Sequence, residues 1–180
     1  MVKDIWLLMV ICLTLLFLCV FLVATLNLNS QINVEQKTKT IESTIESLYN
    51  VISGDKGEER DWDLFLNLFH KGAKLIPTGP SQESHTARYM TPKEYIETSG
   101  KWLYENGFHE IGMTNTIERF GNIAHVFSSY ESFRKKTDTI PFMRGINSIQ
   151  LMYDNNRWYV INIFWMQESE KNQIPNKYLK

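Results

Sequence analysis

Apolar positions in the first half of the chain recur at helical spacing. Ile41, Ile45, Leu48 and Ile52 fall three and four apart, which predicts a helix beginning at Thr40. The run Ser53-Gly54-Asp55-Lys56-Gly57 breaks it. Asp61 is a good N-cap for a second helix carrying Trp62, Leu64, Phe65, Leu68 and Phe69, closed by Gly72. A short strand is expected over Ala73-Lys74-Leu75-Ile76, stopped by Pro77, with a polar loop through residues 77–90. Thr91-Pro92 opens a third helix, with Tyr95, Ile96, Trp102 and Leu103 on its apolar side and Gly107 at its end.

Beyond Gly107 the period changes to that of strands. Runs are expected over Phe108–Phe120, Ile123–Phe133, Phe142–Tyr153 and Trp158–Met166. Gly121-Asn122 and Asp154-Asn155-Asn156 supply tight turns, because Gly, Asn and Asp tolerate positive φ. Helices followed by an antiparallel run predict an α+β fold: a curved sheet wrapped around about three helices. The tail from Glu168 is polar and expected to be loosely ordered.

Side chains alternate across a strand, so register decides which residues meet. An even hairpin at Asn155-Asn156 sets Gln150 opposite Ile161 and Ile146 opposite Trp165; pairing Glu131 with Arg144 sets His125 opposite Gln150. One face then mixes His125, Ser129, Glu131, Arg144, Ser148 and Gln150 with Phe127, Ile146, Ile163 and Trp165, the texture of a ligand pocket with apolar walls. The other face carries Val126, Ser128, Tyr130, Asn147, Ile149 and Leu151. Both faces need cover. Three helices suffice for one, and a second copy of the chain is expected on the other, giving a homodimer through the sheet. Cover by loops is the competing expectation.

The candidate chemistry is thin. His125 is the single arguable acid or base, with Ser129, Glu131, Arg144, Ser148, Gln150 and Trp165 as ligand-binding candidates. A His125–Ser129–Glu131 triad fails on distance, since positions four apart along a strand lie roughly 13 Å apart. Glu131 with Arg144 reads equally as a cross-strand ion pair. His70, His85, His109 and His125 show no paired ligand spacing, so no metal is expected, and no glycine-rich cofactor fingerprint occurs.

Composition adds an address. Ile5 to Leu26 is uncharged over about 22 residues, enough to span a bilayer as a helix. Residues 1–30 are expected to be a signal peptide or an uncleaved anchor, an apolar helix outside the domain; 31–39 a linker; 40–168 the domain; and 169–180 the tail. The domain would be exported, periplasmic or extracellular, and held at the inner membrane through residues 5–26 if they stay uncleaved. Cys12 and Cys19 both lie in that run, so the exported part has no thiol chemistry. A net charge of -1 with interspersed signs gives no reason to expect nucleic acid.

Two stretches carry a family likeness. Asp61-Trp62-Asp63-Leu64-Phe65 through Leu68-Phe69-His70-Lys71-Gly72-Ala73-Lys74-Leu75 resembles the second helix and first strand of the nuclear transport factor 2-like superfamily. Asp154-Asn155-Asn156-Arg157-Trp158-Tyr159-Val160-Ile161 resembles its last hairpin. The resemblance implies a cystatin-like cone enclosing an apolar pocket, often dimeric through the sheet. Members range from ketosteroid isomerase and SnoaL-like cyclases to binding modules without catalysis, and no position here matches the isomerase motif. The expected function is therefore an extracytoplasmic small-molecule-binding or accessory domain, without cofactor. The alternative is a cofactor-free lyase, isomerase or hydrolase of the SnoaL-like type using His125 as general base.

Overall fold

The computed structural model describes residues 16–18, 20–22, 34–81 and 84–179. Of the apolar run 5–26, residues 16–18 and 20–22 are helical and exposed; the rest, with Cys12 and Cys19, lies outside the described residues. No helix among the described residues is long and apolar enough to cross a membrane. A separate compact unit begins at Lys37. Thr38 is already buried in it, its carbonyl accepting from Trp158 N at 2.8 Å.

Three helices form where the periodicity places them. Helix α1, Ile41–Ile52, is capped by Thr40, whose hydroxyl accepts from Ser43 N while Ser43 Oγ accepts from Thr40 N. Helix α2, Trp62–Leu68, starts at Asp61, which accepts from Leu64 N at 2.8 Å. Helix α3, Pro92–Asn106, has Thr91 and Glu94 as a capping box and stops at Gly107, φ 69°. Their apolar faces (Ile45, Leu48, Phe65, Leu68, Leu103) are all buried.

The sheet has six strands in the order β2-β1-β6-β5-β4-β3. They are β1 Phe69–Ser81, β2 Ser84–Ala87, β3 His109–Phe120, β4 Ile123–Phe133, β5 Met143–Asp154 and β6 Arg157–Gln167. All neighbours are antiparallel except β1 and β6, which run parallel, so the sheet is mixed. Asn155 and Asn156 take φ of 48° and 63° in the expected two-residue hairpin.

Two expectations for β1 are corrected. Gly72 does not end α2; it sits inside β1 at φ 90°, where the pairing to β6 skips from Phe69–Val160 to Lys74–Asn162. Nor does Pro77 stop the strand. Its carbonyl accepts from Arg88 N, so its missing N–H faces the β2 side and leaves the ladder to β6 intact. The strand therefore runs on to pair with β2 in what the sequence suggested was loop.

The β4–β5 register is the expected one, with His125 opposite Gln150 and Glu131 opposite Arg144. The β5–β6 register is not. Gln150 faces Asn162 and Ile146 faces Met166, because Leu151 pairs with Val160 and Ile161 is left over as a bulge. One extra residue flips everything after it, so Ile163 and Trp165 join the face of Ile149 and Asn147. That inner face packs on the helices.

The tail is ordered against the outer face. Ile174 is 7% exposed, the ring centroids of Tyr178 and Phe127 are 5.1 Å apart, and Ser129 Oγ donates to Tyr178 O at 2.5 Å. Glu168 accepts from Arg144 Nε at 2.7 Å and from Ile174 N at 2.9 Å, which turns the chain back over the sheet.

Candidate functional site

Between the inner sheet face and the helices lies a cavity of about 220 Å³. Leu48, Tyr49 and Ile52 of α1, Phe65 of α2, and Tyr95, Ser99, Trp102 and Leu103 of α3 supply its helical wall. Leu75, Phe108, Tyr130, Met143, Ile163 and Trp165 supply the sheet side, with Glu110 and Asn147 among them. Tyr95 stacks on Phe65 at 5.4 Å, which fixes its ring at the wall.

Glu110 is the only acidic side chain in that lining. It arrives there by alternation: Phe108, just ahead of β3, and Glu110 near its start point inward, and the next inward position is Gly112. A Cβ at Gly112 would stand 2.9 Å from Cε2 of Tyr49, so the glycine makes room for the ring. Asn147 Nδ2 donates to Glu110 Oε1 at 3.3 Å, and Ser132 Oγ donates to Oε2 at 3.4 Å. Asn147 Nδ2 also donates to the Tyr49 hydroxyl at 3.2 Å, and that hydroxyl lies 2.5 Å from Ser128 Oγ.

Burial dominates the electrostatics. Removal from water pushes the Glu110 carboxyl up to about 7, and its two hydrogen bonds only partly oppose the shift. The hydroxyls of Tyr49, Tyr95 and Tyr130 are pushed up by burial first and by the Glu110 charge second. All three stay neutral donors at any physiological pH. The cluster can thus give or take one proton near neutrality, and it can hydrogen-bond one polar group of an otherwise apolar guest.

The residues singled out from the sequence divide between the two faces. Trp165 lines the cavity. His125, Ser129, Glu131, Arg144, Ser148 and Gln150 lie on the outer face by register. There His125 Nε2 is 3.0 Å from Ser148 Oγ, and Ser129 holds the tail. Arg144 reaches Glu131 at 3.9 Å and binds Glu168 more closely. Ser148, Phe127 and Ile146 also line a groove of about 610 Å³ between sheet and tail. Sequence reasoning missed Glu110, Tyr49, Tyr130 and Asn147 as a group. The available signal was the row Phe108, Glu110, Gly112, one acid among inward-pointing positions of a strand.

Solved structures share this architecture. A protein of unknown function with a cystatin-like fold from Nostoc punctiforme superposes with TM-score 0.55 at 12% identity, over 72% of this chain and 90% of its own. A nuclear transport factor 2-like protein of unknown function from Pseudomonas putida gives TM-score 0.55 at 11% identity, over 75% and 90%. Another such protein from Silicibacter pomeroyi gives 0.50 at 12%, over 71% and 92%. No family model matches the sequence, and no curated protein does. The class is the cystatin-like α+β cone. Within it, this chain has the nuclear transport factor 2-like fold.

Proposed function

We propose that the chain is a small-molecule-binding domain whose ligand occupies the cone cavity. The supporting observation is the cavity itself: about 220 Å³ walled by aromatic and aliphatic side chains, with one polar cluster of Glu110, Asn147 and Tyr49. An apolar cavity of ~150 Å³ already accepts benzene. A one-ring ligand with a short polar substituent therefore matches the space. Trp102 and Trp165 lie in the wall, so saturable changes in tryptophan fluorescence on adding such compounds are the expected result. Ser99→Phe, which fills the cavity from α3, should abolish them. No saturable binding to the unaltered chain by any one-ring ligand would overturn the reading.

Cofactor-free acid–base chemistry is the second reading, favoured by a single observation. Burial raises the Glu110 carboxyl to about 7 inside the cavity, which suits it to give or take a proton near neutral pH.

The proposal places the domain outside the cytoplasm, on the strength of the uncharged run 5–26. It also pairs the domain with a second copy across the outer sheet face, where Phe120 is 84% exposed and Ile123 and Phe164 are also exposed. Light scattering giving a monomer mass across a wide concentration range would remove the pairing.

A further inference from the structure

Walls and charge in the cavity are mismatched. The lining holds the rings of Tyr49, Tyr95, Phe108, Tyr130 and Trp165 together with the Glu110 carboxyl, and no lysine, arginine or histidine. The groups that face Glu110 are Tyr49 from α1, Tyr95 from α3 and Tyr130 from β4, none of which can carry positive charge. Ser132 and Asn147 are neutral donors. Arg134 lies behind the wall, its guanidinium 4.5 Å from the ring centroid of Trp102 and 4.0 Å from that of Phe142 with Nη1 unpartnered, and it does not contribute to the shift of Glu110. A carboxylate accepts about four hydrogen bonds, and Glu110 receives two long ones.

Glu110 is partly withdrawn from water, and a carboxylate so placed without a counter-charge is costly and is neutralised either by a proton or by a cation. Burial raises the Glu110 carboxyl to about 7, so a proton is one such partner. A guest with a positive head would displace that proton. The faces of the surrounding rings attract the same kind of head through their quadrupoles. An anionic guest would meet the carboxylate with like charge, and a neutral one would leave the proton in place and gain nothing from the charge. We infer that the ligand of the cone is a small organic cation, an ammonium group on an apolar body, with its head seated between Glu110 and the aromatic wall. The inference rests on the proposal that the cavity binds a small molecule, and it names the class of that molecule.

The test uses two isosteric probes, phenyltrimethylammonium and tert-butylbenzene. The first keeps its charge at every pH, so any pH dependence belongs to the protein. Binding to the full chain is followed by tryptophan fluorescence at about pH 8.5 and about pH 5.5, which bracket the value near 7 for Glu110. At the higher pH the cation should bind at least about tenfold more tightly than the neutral isostere, the scale of a desolvated cation–π contact. The advantage should shrink at the lower pH, because the cation must then expel a proton. Glu110→Gln should weaken cation binding about tenfold and flatten its pH profile. Equal or tighter binding of tert-butylbenzene at the higher pH would overturn the cation and leave the binding proposal standing. Saturation by neither probe would overturn both.

Discussion

Asn147 of β5 donates to Glu110 of β3 at 3.3 Å, reaching over the intervening strand β4. The span is possible because the β4 residues on this face include Ser128 and Ser132, both small and both drawn into the same network. A polar patch has been built into an apolar interior, and Glu110, its member that titrates near neutrality, controls how that interior responds to pH.

The first prediction concerns that response. The folded chain holds the Glu110 proton more tightly than the unfolded chain, at about 7 against 4.5. A carboxyl raised in this way favours folding below its unfolded value and loses that contribution as pH rises through the folded one. Stability should therefore fall between these two values and level off above the upper one, by something on the order of 3 kcal/mol. Glu110→Gln should remove this component and be the more stable protein above neutrality. Urea unfolding across the window, read as the difference between the two proteins, checks it. A difference that does not change with pH would refute the assignment.

Close packing at the sheet gives the second. A Cβ on Gly145 would lie 2.4 Å from the Tyr130 hydroxyl and 2.6 Å from Met166 O. Neither atom has slack, because Tyr130 is buried and Met166 O belongs to β6. Gly145→Ala should cost roughly 2–3 kcal/mol. Adding Tyr130→Phe removes the hydroxyl but leaves the ring Cζ 2.7 Å from that Cβ, so the double variant should recover only a small part of the loss in thermal unfolding. No recovery would mean that the ring carbon and the Met166 carbonyl set the limit without the hydroxyl.

Arg60 carries the third prediction. Its guanidinium is buried and donates to Ile52 O at 3.0 Å, Gly54 O at 2.7 Å and Leu103 O at 3.3 Å. It therefore ties the end of α1 to the end of α3, two of the three helices that wall the cavity. Removing it strands several carbonyls away from water, at a cost of about 3 kcal/mol. Lysine has one nitrogen where arginine has a planar fork, so Arg60→Lys should recover little of the loss. Chemical denaturation of both variants decides it; near-complete rescue by lysine would show that charge rather than geometry matters here.

These sites show what could be read from the chain alone. Caps, helices and the Asn155-Asn156 hairpin depend on local chemistry, and each is visible in a few consecutive residues. The β4–β5 register follows once Glu131 is set opposite Arg144, and the structure has that pairing. The site was not. A leftover residue at Ile161 leaves no mark in composition, since it is one apolar residue in an apolar run, yet it moves Trp165 and Ile163 to the inner face. With those two residues counted on the outer face, the pocket texture falls there, and Glu110 is hidden in a β3 that is polar along most of its length. The parallel β1–β6 pair was hidden in the same way, with Gly72 and Pro77 serving inside a strand rather than at its ends.

The tail supplies the last prediction. Residues following Glu168 were expected to be loose on grounds of polarity, but two apolar side chains among them find seats on the outer sheet face. Ile174 is buried, and Tyr178 packs on Phe127 while its carbonyl accepts from Ser129. Burying two such side chains is worth roughly 1.5–3 kcal/mol each, less the cost of ordering the tail. Truncation after Glu168 should therefore lower the unfolding free energy by about 2–3 kcal/mol. It should also uncover Phe127 and Ile146, apolar residues of the groove between sheet and tail. Light scattering of the truncated chain should then show self-association that grows with concentration and exceeds that of the full chain. Tyr178→Ala should act in the same direction more weakly, because Ile174 and the Glu168 hydrogen bonds remain. Truncation that leaves both stability and association unchanged would mean that the tail rests on the sheet without holding it.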